Sequence, residues 1–189
     1  MSHPLSLARR PLTWSKVTAG LADDPEVDSV VFTDGYSPQE GDLELDSRIG
    51  GVIFDKRIEK PVVYTMAVTQ EIIEKWIPRK NPIAMVELFA VIVAMSTFES
   101  RIRGRKILIM IDSECVLGAL VKGYSAKEDM CELVGIFWDL AAEFDTLVFL
   151  DRIPTDANPA DDPSRNKMEE VRKRGWVVTE PIAPEVLEF

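Results

Sequence analysis

SVVFTDG, residues 29–35, is a β-branched and aromatic run that stops at an acid followed by glycine. Such a run reads as a strand, and Asp34-Gly35 is its stop signal. Three further acids stand in comparable settings: Glu87 inside AMVELFAVIVA, Asp112 at the end of ILIMID and Asp161 in NPADDPSR. Two carboxylates ~4 Å apart at an effective dielectric of ~20 repel by roughly 4 kcal/mol, so a converging set must take up protons or capture cations. Hard divalent ions such as Mg²⁺ take oxygen ligands and hold phosphates, and a pair of them can clamp both oxygens of an in-line phosphodiester displacement. The acids therefore point to a nuclease.

Elimination supports that direction. The 189 residues contain one histidine, His3, near the N-terminus, and two cysteines without a CxxC spacing. Ser-His-Asp and Cys-His nucleophilic catalysis and His/Cys zinc sites are thereby excluded. No GxxxxGK[ST] loop or GxGxxG turn exists, so a phosphate-cradling nucleotide fold has no support. Cys115 and Cys131 read as reduced core residues of predicted helices. No apolar run approaches the ~20 residues of a membrane span and MSHPLSLARRPLTWSK has no apolar signal region, so an intracellular, cytoplasmic protein without a membrane partner is expected. Net charge is −10, which is unfavourable for a chain that must meet phosphates.

Working outward from the first strand, RIGGVIFDK (48–56) and PVVYTMAVT (61–69) are two further strands of an antiparallel meander. QEIIEKWIPRKNP (70–82) suggests a short helix broken at Pro78, and IAMVELFAVIVAMSTFESRI (83–102) a buried helix, apolar nearly all round except at Glu87. KILIMID (106–112) is a strand, ECVLGALVK a helix closed by Gly123, and DMCELVGIFWDLAAEF (129–144) the next helix. TLVFLDRIP (146–154) is the last predicted strand and NKMEEVRKRG (166–175) a charged terminal helix. One domain over 29–175 is expected, with a leader over 1–28 that has a short helix around Trp14 to Leu21, and an extended tail over 176–189. The element order fits an α/β fold: a mixed five-stranded sheet with helices on both faces.

That order, with TDG ending the first strand, an inward Glu in the first long helix and IDS ending the fourth strand, resembles the ribonuclease H fold. The strings GGVIF, ELFAVIVAM and NPADDPSR strengthen the likeness, the last being similar to the terminal motif of retroelement and reverse-transcriptase ribonuclease H domains. The resemblance implies a three-strand antiparallel meander plus two parallel strands, and hydrolysis of the RNA strand of an RNA–DNA hybrid by two Mg²⁺ ions, with Mn²⁺ as substitute. It implies that Asp34 bridges both ions, that Glu87 and Asp112 complete the one near the leaving group, and that Asp161 holds the one that activates water. It places Gly35 and Tyr36 where 2′-hydroxyls are sensed. A reverse transcriptase or another fused or bound partner is a further implied association. This chain lacks two features common in the family: a histidine in the loop before the last acid, and a basic helix after the fourth-strand helix, where only KGYSAKE (122–128) stands.

Other readings of the same residues stand beside these. Glu87 has a surface alternative, favoured near a helix start by the macrodipole, and Asp112 or Ser113 could be a helix N-cap. Arg79, Lys80, Lys122 and Lys127 are candidate phosphate contacts or solvated surface charge. Adjacent helical residues point ~100° apart, so only one of Asp161 and Asp162 can face the ions. The family pattern selects Asp161 and leaves Asp162 as N-cap of the terminal helix. A related nuclease acting on other nucleic-acid structures with a partner, and a non-catalytic scaffold, are the competing functions.

Overall fold

A computed structural model describes residues 27–38 and 46–184. Strands β1 (Ser29–Tyr36), β2 (Ser47–Asp55) and β3 (Val62–Val68) form the antiparallel meander. On the far side of β1, β4 (Lys106–Ile111) pairs in parallel with it and β5 (Leu147–Arg152) in parallel with β4. The sheet has a sixth strand rather than five in all: β6 (Val177–Val178) pairs in parallel with β3, giving the order β5-β4-β1-β2-β3-β6. Those two residues fall in the segment expected to be an extended tail. The expected leader lies outside the described residues except for Val27 and Asp28, as does its short helix.

The helices follow the predicted order with changes at their ends. They are α1 (Gln70–Ile73), α2 (Ile83–Thr97), α3 (Glu99–Ile102), α4 (Glu114–Lys122), α5 (Glu128–Glu143), α6 (Asp161–Ser164) and α7 (Met168–Lys173), with a 3-10 turn at Thr155–Ala157. The expected helix over 83–102 is interrupted at Phe98, and the expected terminal helix over 166–175 is a shorter one at Met168–Lys173, preceded by a separate turn of helix at Asp161–Ser164. Asn166 lies between them at φ 58°, a left-handed conformation that asparagine tolerates better than most side chains. The cap position of α6 is Ala160, so Asp162 is not an N-cap. It lies within α6 and pairs with Arg174.

Strand alternation sends side chains to opposite faces of the sheet, and both faces are covered. Val31, Ile49, Ile53 and Ile109 meet α2 and α5 on one side, which explains why α2 is apolar nearly all round: it is enclosed by the sheet and α5. Val30, Phe32, Val52 and Phe54 meet Ala160, Val171 and Trp176 on the other. There the Phe54 ring stands edge-on to Phe32 at 5.7 Å and to Trp176 at 5.9 Å, a favourable aromatic geometry. Tyr64, fully buried, donates to the Ala90 carbonyl at 2.7 Å, and Gly51 leaves it room, since a Cβ there would lie 2.3 Å from its ring. Cys115, expected in the core, is exposed, because α4 turns Val116, Ala119 and Leu120 inward instead. Among the described residues no helix is long and apolar enough to cross a membrane.

Candidate active site

β1 ends between two helices, and each of its last residues faces one of them. Gly35 faces α2: a Cβ there would stand 2.8 Å from the Glu87 amide nitrogen. The bare glycine therefore lets α2 bring Glu87 against the strand end. Asp34 faces α6, and its cross-strand partner is Gly50. A Cβ on Gly50 would lie 2.5 Å from the Ser164 nitrogen, so this second glycine lets α6 lie flat on β2 with its serine reaching Asp34. The Ser164 hydroxyl donates to Asp34 Oδ2. Asn158 fixes the connecting loop, its Nδ2 donating to the Thr33 carbonyl at 2.9 Å while its Oδ1 accepts from the Ala160 amide at 3.0 Å.

Asp34, Glu87 and Asp112 line one cleft of about 470 Å³, with Gly35, Tyr36 and Arg165 beside them. Asp34 is 6% exposed. Burial pushes its carboxyl up to about 7; the Ser164 hydrogen bond opposes the rise, and Asp112, Asp161 and Glu87 add repulsion. Burial likewise pushes Glu87 up to about 7, opposed by a hydrogen bond from Ser113 and reinforced by Asp112. Glu87 is thus not a surface acid. Ser113 occupies the cap position of α4 without making a side-chain cap bond, its hydroxyl being used on Glu87.

Asp161 stands differently. Its Oδ1 accepts from Arg165 Nε at 2.6 Å and its Oδ2 lies 3.7 Å from Lys167 Nζ. Arg165 also stacks over the Tyr36 ring at 5.1 Å. Among the described residues no three Asp, Glu, His or Cys side chains are grouped closely enough to form a ready-made metal cluster. The donor chemistry nevertheless fits an oxygen-seeking divalent ion: three carboxylates line the cleft with no histidine or cysteine among its lining residues, and burial raises two of them, Asp34 and Glu87.

Of the four cations expected near a substrate, none lines the cleft. Arg79 is committed elsewhere, its Nη2 donating to both oxygens of the buried Asp129 at 2.8 and 2.6 Å. Lys80, Lys122 and Lys127 are exposed. Sequence reasoning offered Ser113 only as a possible helix cap and named no role for Asn158, Ser164 or Arg165. Asn158, Ser164 and Arg165 all stand within NPADDPSR, but what they touch depends on how that segment packs against β1 and β2.

Neither a family model nor a curated protein matches the sequence. Solved structures do match. RNase H1 from the halophilic archaeon Halobacterium salinarum NRC-1 superposes with a TM-score of 0.53 at 17% identity, covering 75% of this chain and 98% of that one. LC11-RNase H1, from a compost metagenome and solved in complex with an RNA/DNA hybrid, gives 0.54 at 17% identity, covering 76% and 99%. A foamy viral protease-reverse transcriptase, also in complex with RNA/DNA hybrid, gives 0.50 at 11% identity over 77% of this chain and 19% of that one. The chain has a ribonuclease H-like fold.

Proposed function

We propose that this ribonuclease H-like domain is a divalent-metal-dependent endonuclease that hydrolyses the RNA strand of RNA–DNA hybrids. One observation carries the reading: Asp34 and Glu87 both line the cleft, each held by a serine hydroxyl and raised by burial, and both are pushed up to about 7. A merely structural acid at that depth would be expected to have a basic partner. The likeness to structures solved with RNA/DNA hybrid supports the substrate class.

In this reading Asp34, Glu87, Asp112 and Asp161 hold two Mg²⁺ ions, with Mn²⁺ as substitute. Bound there, the ions supply an activated water and stabilise the leaving oxygen, which is why no histidine is needed. The chain's own groups do the positioning. Ser164 orients Asp34 and Ser113 orients Glu87, so both acids meet their ligands without rearranging. Gly35 and Tyr36, which line the cleft, offer backbone groups to the 2′-hydroxyl that distinguishes RNA from DNA. Lys80, Lys122 and Lys127 are the phosphate contacts of this reading. Arg79 is released from that role by its pairing with Asp129.

A second reading is favoured by charge. With a net charge of −10, and with Arg79 and Arg165 engaged by acids, the domain has weak means of gripping a duplex alone. A fused or bound partner, such as a reverse transcriptase, would then deliver the hybrid or another nucleic-acid structure. The test is cleavage of end-labelled RNA–DNA hybrid, double-stranded RNA and double-stranded DNA in Mg²⁺, with D34N as control. Hybrid-selective cleavage lost in D34N and in EDTA is expected. Cleavage persisting in EDTA overturns the metal-dependent reading, and selective cleavage of another duplex overturns the substrate.

A further inference from the structure

Asp161 and Asp162 are neighbours, each paired with an arginine, yet the two arginines are placed for different work. Arg174, on Asp162, stacks over Trp176 at 4.9 Å and belongs to the packed strap that closes the sheet. Arg165, on Asp161, is 43% exposed and lines the cleft between the acids and Tyr36. Both oxygens of Asp161 face cations, Arg165 at 2.6 Å and Lys167 at 3.7 Å. Asp34 and Glu87 are held instead by serine hydroxyls, of Ser164 and Ser113.

We propose that Arg165 is a displaceable stand-in cation on Asp161, so that the acid cluster takes its last divalent ion only when a nucleic-acid phosphate draws the arginine away. The inference rests on the metal-dependent reading above. An ion at the Asp161 corner needs carboxylate oxygens that Arg165 now holds. A phosphate is the better partner for a guanidinium, because it meets the planar fork with two parallel charge-assisted bonds. Asp161 offers Arg165 one donor contact, through Nε, and an ion pair this exposed is weakly held. The Tyr36 ring, under the guanidinium at 5.1 Å, keeps the cation at the cleft when it leaves Asp161. Arg165 is thus a positioning residue that ties completion of the ion pair to the presence of substrate.

The test is Mn²⁺ titration of the metal-free full chain, with free Mn²⁺ read by electron paramagnetic resonance, with and without a hybrid whose RNA strand is 2′-O-methylated against cleavage. Wild type is expected to bind a second ion at least tenfold more weakly than the first, and the hybrid to remove that gap. R165Q closes the gap about tenfold without nucleic acid and makes the hybrid's effect small; R165K, keeping a cation, leaves the gap within about twofold of wild type. In D161N the second ion is lost and adding R165Q restores nothing. Two ions bound equally by wild type without hybrid overturn the inference whether or not the variants fold, as does a folded R165Q with an unchanged gap. Either result leaves the metal-dependent reading intact. A wild-type chain that binds no Mn²⁺ with or without hybrid overturns both.

Discussion

The two ends of the β1–β2 ribbon each bury an aspartate, and the two are treated in opposite ways. Asp34, near the end of β1, is 6% exposed; Asp55, paired with Ser29 at its beginning, is 2% exposed. Burial raises both. At Asp55 it is overcome by hydrogen bonds from the Arg57 side chain and amide and from Arg105, which hold the carboxyl below its ordinary value. At Asp34 it is opposed chiefly by a serine hydroxyl, and three further acids add to the rise. Similar depth with opposite compensation separates an acid tied into the fold from the one assigned above, as a proposal, to the metal site. Asp129, sealed by Arg79 and by the amides of Ile77 and Met130, belongs with Asp55.

The comparison breaks first at catalysis. D34N is expected to lower hybrid cleavage by three or more orders of magnitude, as are E87Q and D112N, because on the proposed function each removes an ion ligand while relieving repulsion. Single-turnover cleavage measures this, and near-wild-type rates in any one would strike that residue from the site. D55N should do the reverse, leaving the cleft intact while costing about 1.5–3 kcal/mol of stability in urea, since Arg105 keeps Asp28 and the Arg101 carbonyl but loses its nearest carboxylate. A loss under 1 kcal/mol would show that the Asp55 network contributes little.

Metal itself sharpens the contrast next. At a concentration 100 times its dissociation constant, a ligand bound only by the folded state adds ~2.7 kcal/mol, so Mg²⁺ should raise the melting temperature of wild type and D55N but hardly that of D34N. Acidity provides the fourth test, in EDTA. Asp34 has an ordinary value of 3.8 and about 7 in the fold. The folded chain therefore keeps a proton that the unfolded chain has lost, and stability falls as pH rises through that window, by up to about 1.4 kcal/mol per pH unit per group. Glu87 adds a parallel contribution, and D34N should flatten the slope. Asp55 contributes the opposite sign, stability present above 3.8 and lost as pH falls through its depressed value, so D55N should blunt acid unfolding. The smallest effect belongs to D162A. Losing the Arg174 pair costs about 1 kcal/mol, with cleavage largely retained, whereas D161N loses most of it.

The legible parts of this molecule are those whose signal lies within one element. β1 stops at Asp34-Gly35-Tyr36 as its composition indicates, the enclosed helix around Glu87 announces itself by being apolar on every side, and α4 ends at Gly123, which has φ 75°. What escaped notice is long-range. Arg79 reads as a surface cation until Asp129, 50 residues on, is seen against it. Asp162 reads as a cap because its true partner, Arg174, is 12 residues away across a helix break. Two valines are too short a run to show alternation, so β6 is recognisable only through its pairing with Val62 and Val63. The glycines of GGVIF are visible as letters, but their use, admitting Ser164 and Tyr64, depends on what packs against them.

The hydroxyl of Ser164 meets Asp34 across 130 residues of chain. During synthesis, Asp34 and Glu87 leave the ribosome well before the serine that orients one of them. At ~5–20 residues per second, the stretch from Asp112 to Ser164 takes roughly 3–10 s to make. Until then β6 and α6 are missing, and the edge of β3 and one face of β2 stand uncovered, a state in which nascent chains are prone to mispair. Asp34 is therefore oriented only late in synthesis, and a chain cut short just before residue 164 would carry all four acids yet lack the hydroxyl that meets Asp34.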